Sequence, residues 1–295
     1  MNRIIIIILI ISIIGNIIGL IFAYRYFVGQ RQIRRLDRSL DNAGTTIESM
    51  KQALESQFST RLIFLHHSVG RGILFEGGLM DSLMKSGIIV NHATYGDAIG
   101  ENTDICHWLP KFQNDMNRIF TFEFHPEKYY TDGRTNDIIV FKPCFPNSNI
   151  IDEGTAPGDP ISSMQTTANY KAVFNNLKNE FKKFPDKLFI YMTSPPLVPE
   201  HTTPEKSQRN RDFNNWLINE YLPQYHEETG LNNFYIFDLF DVLADSNNVL
   251  KEEYRTGIRE DSHPNIRGSK AVAQKFMEFF RPIMAVWMET KATES

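Results

Sequence analysis

Two short segments contain side chains that together could perform acyl transfer, in which a hydroxyl attacks an ester carbonyl. The first is His66–Ser68, which follows a short apolar run and precedes a glycine-containing turn. The second is Asp261–Asn265, far along the chain. A serine hydroxyl becomes a nucleophile when an imidazole takes its proton and a carboxylate orients that imidazole. The residue types therefore predict Ser68 as the nucleophile, His263 as the base and Asp261 as the carboxylate.

Acyl transfer also needs hydrogen-bond donors for the negative charge that develops on the carbonyl oxygen. The backbone N–H of Ser68 is one candidate. The N–H of Gly96 is a second, because a missing side chain permits close approach. The side-chain amide of Asn147 is the third, with Asn149 as an alternative. Gly96 could instead only turn the chain, and both asparagines could be turn residues after Pro146.

Each catalytic candidate also has a purely structural interpretation. Ser68 could cap the helix that follows it. His263 and Pro264 could mark the start of a helix that Asp261 or Ser262 caps. The motif alone does not decide between these interpretations. The catalytic interpretation requires that Ser68, His263 and Asp261 come together in the fold.

A metal site is the alternative chemistry for the histidines. His66 and His67 could bind a metal together with other side chains, of which the candidates are His92, His107 and Asp97. However, adjacent residues on a strand point to opposite faces, and no spacing matches a strong metal motif. The two cysteines, Cys106 and Cys144, lack zinc-site spacing and need no disulfide framework. We therefore expect neither a metal nor another cofactor.

Short apolar runs alternate with longer amphipathic segments, a pattern typical of a parallel sheet covered by helices. The predicted strands are Arg61–His66, Ile88–Ala93, Asp137–Phe141, Leu188–Met192 and Phe234–Asp238. The predicted helices are Ile73–Lys85, Met164–Lys183, Lys206–His226 and Pro264–Met288. Residues Glu101–Thr135 lack a clear period, so we predict an irregular insertion that shapes specificity.

Ligands of open parallel α/β sheets bind at the carboxyl ends of the strands. Ser68 follows the first predicted strand, Gly96 the second and Asn147 the third. Asp261 and His263 lie between the fifth strand and the last helix. All candidate groups are therefore expected at one edge of the sheet, and this coincidence supports the catalytic interpretation more than any single motif does.

The N-terminal segment Ile4–Ala23 is an almost unbroken run of Ile and Leu, about as long as a helix that crosses a bilayer. It predicts a transmembrane anchor over residues 1–25, a helical stalk over 26–59 and a hydrolase domain over 60–290. A cleaved signal peptide is the alternative. Apolar residues at three- and four-residue spacing in the stalk could form a parallel homodimer, but a helix lying alone is equally compatible.

Charge is distributed unevenly. Residues 1–40 hold six arginines and one aspartate, and the formal net charge of the chain is −4. The globular part is therefore acidic, which argues against a nucleic-acid partner. Most of these arginines follow the predicted span, so the positive-inside rule places the domain in the cytoplasm. This conflicts with the exported location expected of many anchored hydrolases, and the sequence leaves the side of the membrane open.

The segment Asp261–Asn265, followed by Gly268 and Ala271–Ala273, resembles the D-x-x-H-P-N…G…A block of the SGNH/GDSL hydrolases apart from the D-to-H gap. A serine, a glycine and an asparagine after the first three strands, Pro195-Pro196 after the fourth and Phe237–Leu239 after the fifth extend the resemblance over 61–280. It implies a flavodoxin-like three-layer α/β/α fold, a Ser–His pair assisted by Asp, and metal-free hydrolysis of esters, often acyl groups on lipids or carbohydrates.

Two departures leave alternatives open. His67-Ser68 stands where the family has Gly-Asp-Ser, and Cys144–Ser148 replaces the G-x-N-D block. One hypothesis is a membrane-anchored serine hydrolase that cleaves an acyl ester of a carbohydrate or lipid. The other is a catalytically inactive module that binds a glycan or lipid in the same cleft.

Overall fold

A sheet of five parallel strands forms the centre of the computed structural model, which describes residues 60–294. Its strands stand in the order β2-β1-β5-β6-β7, and β3 and β4 form a second, two-stranded sheet. The strands are β1 Thr60–Leu65, β2 Ile88–Ala93, β3 Phe122–Phe124, β4 Lys128–Tyr129, β5 Ile138–Phe141, β6 Leu188–Met192 and β7 Phe234–Phe237. Each runs where β-branched and aromatic residues are concentrated.

Helices connect the strands on both faces of the sheet. They are α1 Ser68–Arg71, α2 Leu79–Lys85, α3 Ile105–Asn114, α4 Met116–Thr121, α5 Thr167–Phe181, α6 Pro204–Trp216, α7 Leu222–Thr229, α8 Leu239–Leu243 and α9 Ile266–Glu294. A π-helical turn, Gly72–Glu76, extends α1, and another, Leu217–Tyr221, joins α6 to α7. Single 3₁₀ turns occur at Phe145–Ser148, Pro199–His201 and Glu252–Tyr254.

Alternation along β1 divides the apolar interior into two cores. Leu62 and Phe64 face a core that includes side chains of α1, α2, α8 and α9. Ile63 and Leu65 face the opposite core, which includes side chains of α3 to α7. A sheet covered on both faces favours apolar runs, and all six residues of β1 are buried, with Leu62–Leu65 as its apolar run. The architecture is thus a three-layer α/β/α sandwich, which confirms the predicted fold class for this part of the chain.

The prediction for Glu101–Thr135 was wrong. This stretch contains α3, α4 and the β3-β4 hairpin. Its aromatic residues serve the core, since Trp108 and Phe112 are buried and pack against Phe141 of β5. Pro110 lies inside α3, where a proline removes one helical hydrogen bond, and this weakened the helical pattern.

The N-terminal predictions lie outside the described residues. The anchor, 1–25, and the stalk, 26–59, therefore stay predictions. Among the helices of residues 60–294, none has both the length and the apolar character needed to cross a bilayer.

Candidate active site

Ser68, His263 and Asp261 form a continuous chain of hydrogen bonds. Oγ of Ser68 lies 2.7 Å from Nε2 of His263. Nδ1 of the same imidazole lies 2.6 Å from Oδ1 of Asp261. Because a carboxylate only accepts hydrogen bonds, Nδ1 carries the proton and Nε2 is the acceptor for the serine hydroxyl. The geometry is the one in which an imidazole can take the proton of an attacking serine.

Asp261 is held in its ionised form. It accepts hydrogen bonds from the backbone N–H of His263 at 3.0 Å and from the hydroxyl of Thr256 at 3.0 Å, in addition to the imidazole. Burial alone would raise the pKa of the Asp261 carboxyl, but these hydrogen bonds together hold the pKa below its usual value. At neutral pH the carboxylate is therefore available to orient His263 and to stabilise its cation.

The segment around His263 is fixed by its neighbours in sequence. Ser262 is buried and its Oγ accepts the N–H of Val198, which follows β6. Asn265 donates from Nδ2 to the carbonyls of Glu253 and Arg255, and its Oδ1 accepts the N–H of Gly268 in α9. These bonds tie the loop both to the sheet and to the helix that follows, which explains why polar residues flank the histidine.

The position of Ser68 depends on a close contact behind it. His66 is fully buried, and its Nδ1 donates to the carbonyl of His67 at 2.8 Å. A Cβ atom at Gly70 would lie 2.3 Å from Cβ of His66, far inside van der Waals contact. Only glycine therefore allows α1 to begin directly over the end of β1 and to present the Ser68 hydroxyl at the sheet edge.

Gly96 lies on the loop after β2, but its N–H is already used. Its φ is 90°, in the region that favours glycine. The N–H donates to Oε1 of Glu101 over 2.7 Å. The oxyanion role of Gly96 therefore stays a prediction, because its N–H is already hydrogen-bonded to a carboxylate in this structure.

Asn147 organises the start of α3. Its Oδ1 accepts the N–H of Ile105 at 2.9 Å, so it supplies the cap that the side chain of Asp104 does not. Its Nδ2 donates to Oδ1 of Asp104 at 2.6 Å and to the carbonyl of Cys144 at 3.2 Å. Both amide hydrogens are thus engaged, and the oxyanion role of Asn147 also stays a prediction. Asn149, the alternative, has a buried Oδ1 without a hydrogen-bond partner among the described residues.

Two further side chains at the site, those of Tyr95 and Phe145, were not singled out by the sequence. The ring of Tyr95 stacks on that of His67 with centroids 3.8 Å apart. His67 is itself fixed, because Nε2 donates to the carbonyl of Gly100 at 2.8 Å and Nδ1 lies 3.2 Å from Sγ of Cys144. Phe145 packs edge-on against the ring of His263, at 5.0 Å between centroids. Their places at the ends of the second and third predicted strands were the available signal.

A cleft of about 450 Å³ opens beside Ser68 and His263. Volumes of about 300 to 1,000 Å³ are typical of small-molecule sites. The walls come from α1 with its π-helical extension, from the 256–265 loop and from the start of α9; they include Arg71, Glu76 and Ile266. The cleft is therefore lined by charged, polar and apolar groups next to the reactive hydroxyl.

The residues considered for a metal do not converge on one site, although the rings of His66 and His92 stack with centroids 5.4 Å apart. Within residues 60–294, no group of three or more His, Cys, Asp or Glu side chains is arranged to hold a metal ion. His66 points into the core beneath α1, whereas His67 points to the loop at Gly100. The two rings serve different environments, as expected for neighbours at the end of a strand.

Comparison with known proteins finds structural neighbours, while no family model and no curated protein matches the sequence. A GDSL-like lipase from Bacteroides thetaiotaomicron is 12% identical over 76% of this chain and 88% of that chain, with a TM-score of 0.44. A carbohydrate esterase family 2 enzyme with a carbohydrate binding domain, from Corynascus thermopiles (Myceliophthora fergusii), is 14% identical over 77% and 67%, with a TM-score of 0.41. A family two carbohydrate esterase from Cellvibrio japonicus is 14% identical over 78% and 62%, with a TM-score of 0.38. Because the identities are 12 to 14% and the TM-scores are 0.44 or lower, these likenesses assign neither a family nor a function to this chain.

Proposed function

We propose that residues 60–294 form a serine hydrolase that cleaves esters. The observation that carries the proposal is the hydrogen-bonded chain from Ser68 through His263 to Asp261, with distances of 2.7 and 2.6 Å. Helix capping explains neither distance, because a cap would aim the Ser68 hydroxyl at the N–H groups of its own helix. Instead Oγ faces an imidazole whose other nitrogen is bonded to a carboxylate.

The chemistry follows from this arrangement. As Oγ of Ser68 attacks the ester carbonyl carbon, its proton passes to Nε2 of His263. The imidazolium, stabilised by Asp261, then gives that proton to the departing alcohol oxygen, which leaves an acyl group on Ser68. A water molecule attacks this acyl ester after losing a proton to His263, and the acid product leaves as Ser68 recovers its hydrogen.

The substrate class in this proposal is an acyl ester of a carbohydrate or lipid. The polar and charged walls of the cleft beside Ser68 suit an alcohol that carries further hydroxyls or a charged headgroup. GDSL-like lipases and carbohydrate esterases among the structural neighbours are enzymes of this kind.

We further propose attachment to a membrane through Ile4–Ala23, because this apolar run is long enough for a helix that crosses a bilayer. Recovery of the full-length protein in the carbonate-washed membrane fraction, and its release when that segment is deleted, would test this part.

A fluorophosphonate probe tests the proposed nucleophile. The probe forms a covalent bond with an activated serine, so the wild-type protein should be labelled and Ser68→Ala should not. Ser163→Ala changes an exposed loop serine and serves as the matched control. Equal labelling of the wild type and Ser68→Ala would reject the proposal. Hydrolysis of a short-chain nitrophenyl ester should follow the same pattern across the three proteins.

A binding module without turnover is the second candidate. It is favoured by one observation, that the N–H of Gly96 and the amide of Asn147 donate to protein acceptors rather than point into an open hole. This candidate predicts that a glycan or lipid headgroup binds equally well to the wild type and to Ser68→Ala, with no ester cleaved by either. Ester turnover that depends on Ser68 would exclude it.

A further inference from the structure

Two of the donors predicted for the oxyanion hole face acceptors from one loop, 95–104, which follows β2. The N–H of Gly96 donates to Oε1 of Glu101 over 2.7 Å. The side-chain amide of Asn147 donates to Oδ1 of Asp104 over 2.6 Å. Hydrogen bonds to carboxylates are charge-assisted and stronger than those to a neutral carbonyl. An ester carbonyl therefore has to displace these carboxylates before it can use either donor.

The remaining predicted donor is the backbone N–H of Ser68. Tyr95, at the start of the same loop, lies next to it in space, because its ring stacks on His67, the residue before Ser68. The Tyr95 ring is supported on one side by its stack on His67 and is 53% exposed. A side chain packed on one face only can swing into solvent at low cost.

The backbone of the loop, in contrast, is held firmly by Lys111, a buried residue of α3. Its Nζ donates to the carbonyl of Ile99 at 2.7 Å and to that of Glu101 at 2.6 Å. Burial lowers the pKa of Lys111 to about 8, and the neighbouring Asp115 and Glu101 oppose this shift. The ammonium is thus still charged at neutral pH, and both bonds are charge-assisted. Release of the donors requires the carboxylate side chains to rotate, while the loop backbone stays in place.

We propose that Glu101 and Asp104 form a latch: their carboxylates occupy the oxyanion donors, and a substrate carbonyl binds after they turn away. The inference rests on the proposed hydrolase function and adds a step before attack by Ser68. The side chain of Asp104 is 49% exposed, so solvent can receive its carboxylate when it turns. The start of α3 survives this movement because Asn147 keeps its bond to the N–H of Ile105.

The test compares the rate at which a fluorophosphonate labels Ser68 in the full-length wild type, Glu101→Ala, Asp104→Ala and the double variant. Removal of a charge-assisted acceptor frees a donor, so each single variant should be labelled about tenfold faster. Glu101→Gln keeps a neutral acceptor and should give an intermediate rate. Glu227→Ala, an exposed acidic residue of α7, is the matched control and should keep the wild-type rate. If Glu101 and Asp104 had only a structural role, their removal would damage the site and slow the labelling of Ser68. Faster labelling of the variants therefore supports the latch.

The outcomes distinguish the latch from the hydrolase proposal itself. If Ser68 of the wild type is labelled and both alanine variants are labelled at the same rate or more slowly, the latch is rejected and the hydrolase stands. If no protein of the set is labelled, both proposals fail. If only the variants are labelled, the latch is supported in its strongest form. Should an alanine variant lose its circular dichroism spectrum, Glu101→Gln decides, and it must still exceed the wild-type rate.

Discussion

Oγ of Ser68 lies 2.7 Å from Nε2 of His263, although 195 positions separate the two residues in the chain. Parallel topology produces this contact, because β1 is an interior strand of the sheet and α9, which comes after β7, packs against the π-helical turn that extends α1. The hydroxyl leaves the sheet at the start of α1, and the imidazole precedes α9 by a few residues. Elements at opposite ends of the domain thus meet at one candidate active site.

The carboxylate of Asp261 gives the first prediction. In Asp261→Asn the group opposite Nδ1 of His263 can no longer be an anion, so the imidazole loses both its orientation and the partner of its cation. We expect kcat for a short-chain nitrophenyl ester to fall about a thousandfold with little change in KM. Asp81→Asn, an exposed change on α2, is the control. Retention of more than about a tenth of the wild-type kcat would contradict the role assigned to Asp261.

The contact between Gly70 and His66 gives a prediction about stability. In Gly70→Ala the new Cβ would lie 2.3 Å from Cβ and 2.7 Å from Cγ of His66, a ring that is fully buried and cannot move aside. Overpacking of this kind should lower the free energy of unfolding by about 1 to 3 kcal/mol. Urea unfolding measures it. Gly72→Ala, where the nearest atom is Oγ of Ser269 at 3.3 Å, should be neutral or slightly stabilising, and equal losses in both variants would refute the argument.

The strands and the place of the site could be predicted from the sequence because both depend on local pattern. Leu188–Met192 is apolar at every position and is a strand with the predicted bounds. The segment around His263 has the local pattern of a loop that leads directly into a helix. In both cases the residues that determine the local structure lie within the segment itself.

The rest of the site depends on partners that are distant in sequence. The amide of Asn147 points toward Asp104 and Ile105, which are 43 and 42 positions away, so its direction could not be predicted from its own neighbours. Helix α3 likewise forms around Pro110 because Trp108 and Phe112 gain burial against the sheet. Tertiary burial outweighed the local signal there, and for that reason the stretch was predicted as irregular.

The partly buried His92 gives a prediction about acid stability. Burial, and to a lesser degree His125, lower its pKa from 6.5 to about 4, while Asp97 opposes the shift. The unfolded chain therefore binds more protons than the folded one between these values, and the free energy of unfolding falls as pH drops from about 6.5 to about 4. The same direction holds for His66, whose pKa is also lowered by burial. Urea unfolding of His92→Gln across this range should show a shallower decline, by up to about 3 kcal/mol at the acid end.

A surface histidine provides the control for this experiment. His107→Gln also removes one histidine, at a side chain that is 36% exposed, and is measured in parallel. If His92→Gln declines as steeply as the wild type, proton uptake by His92 is not a cause of the acid loss.

Asn147 allows a test that separates its capping role from its charge. Asn147→Ala leaves the buried N–H of Ile105 without its acceptor, and should cost about 1 to 3 kcal/mol. Asn147→Asp keeps an acceptor for the N–H of Ile105 but places a second carboxylate beside that of Asp104. In the wild type, Oδ1 of Asp104 lies 2.6 Å from Nδ2 of Asn147. Two close carboxylates raise the pKa of one of them, so the folded state gains a proton first. The melting temperature of Asn147→Asp, relative to the wild type, should therefore rise as pH falls from 7 to about 4.

Asn149→Ala, whose Oδ1 has no hydrogen-bond partner among the described residues, should melt close to the wild type at every pH. A wild-type melting temperature for Asn147→Ala, or a constant difference between Asn147→Asp and the wild type across pH, would show that these contacts do not hold the start of α3.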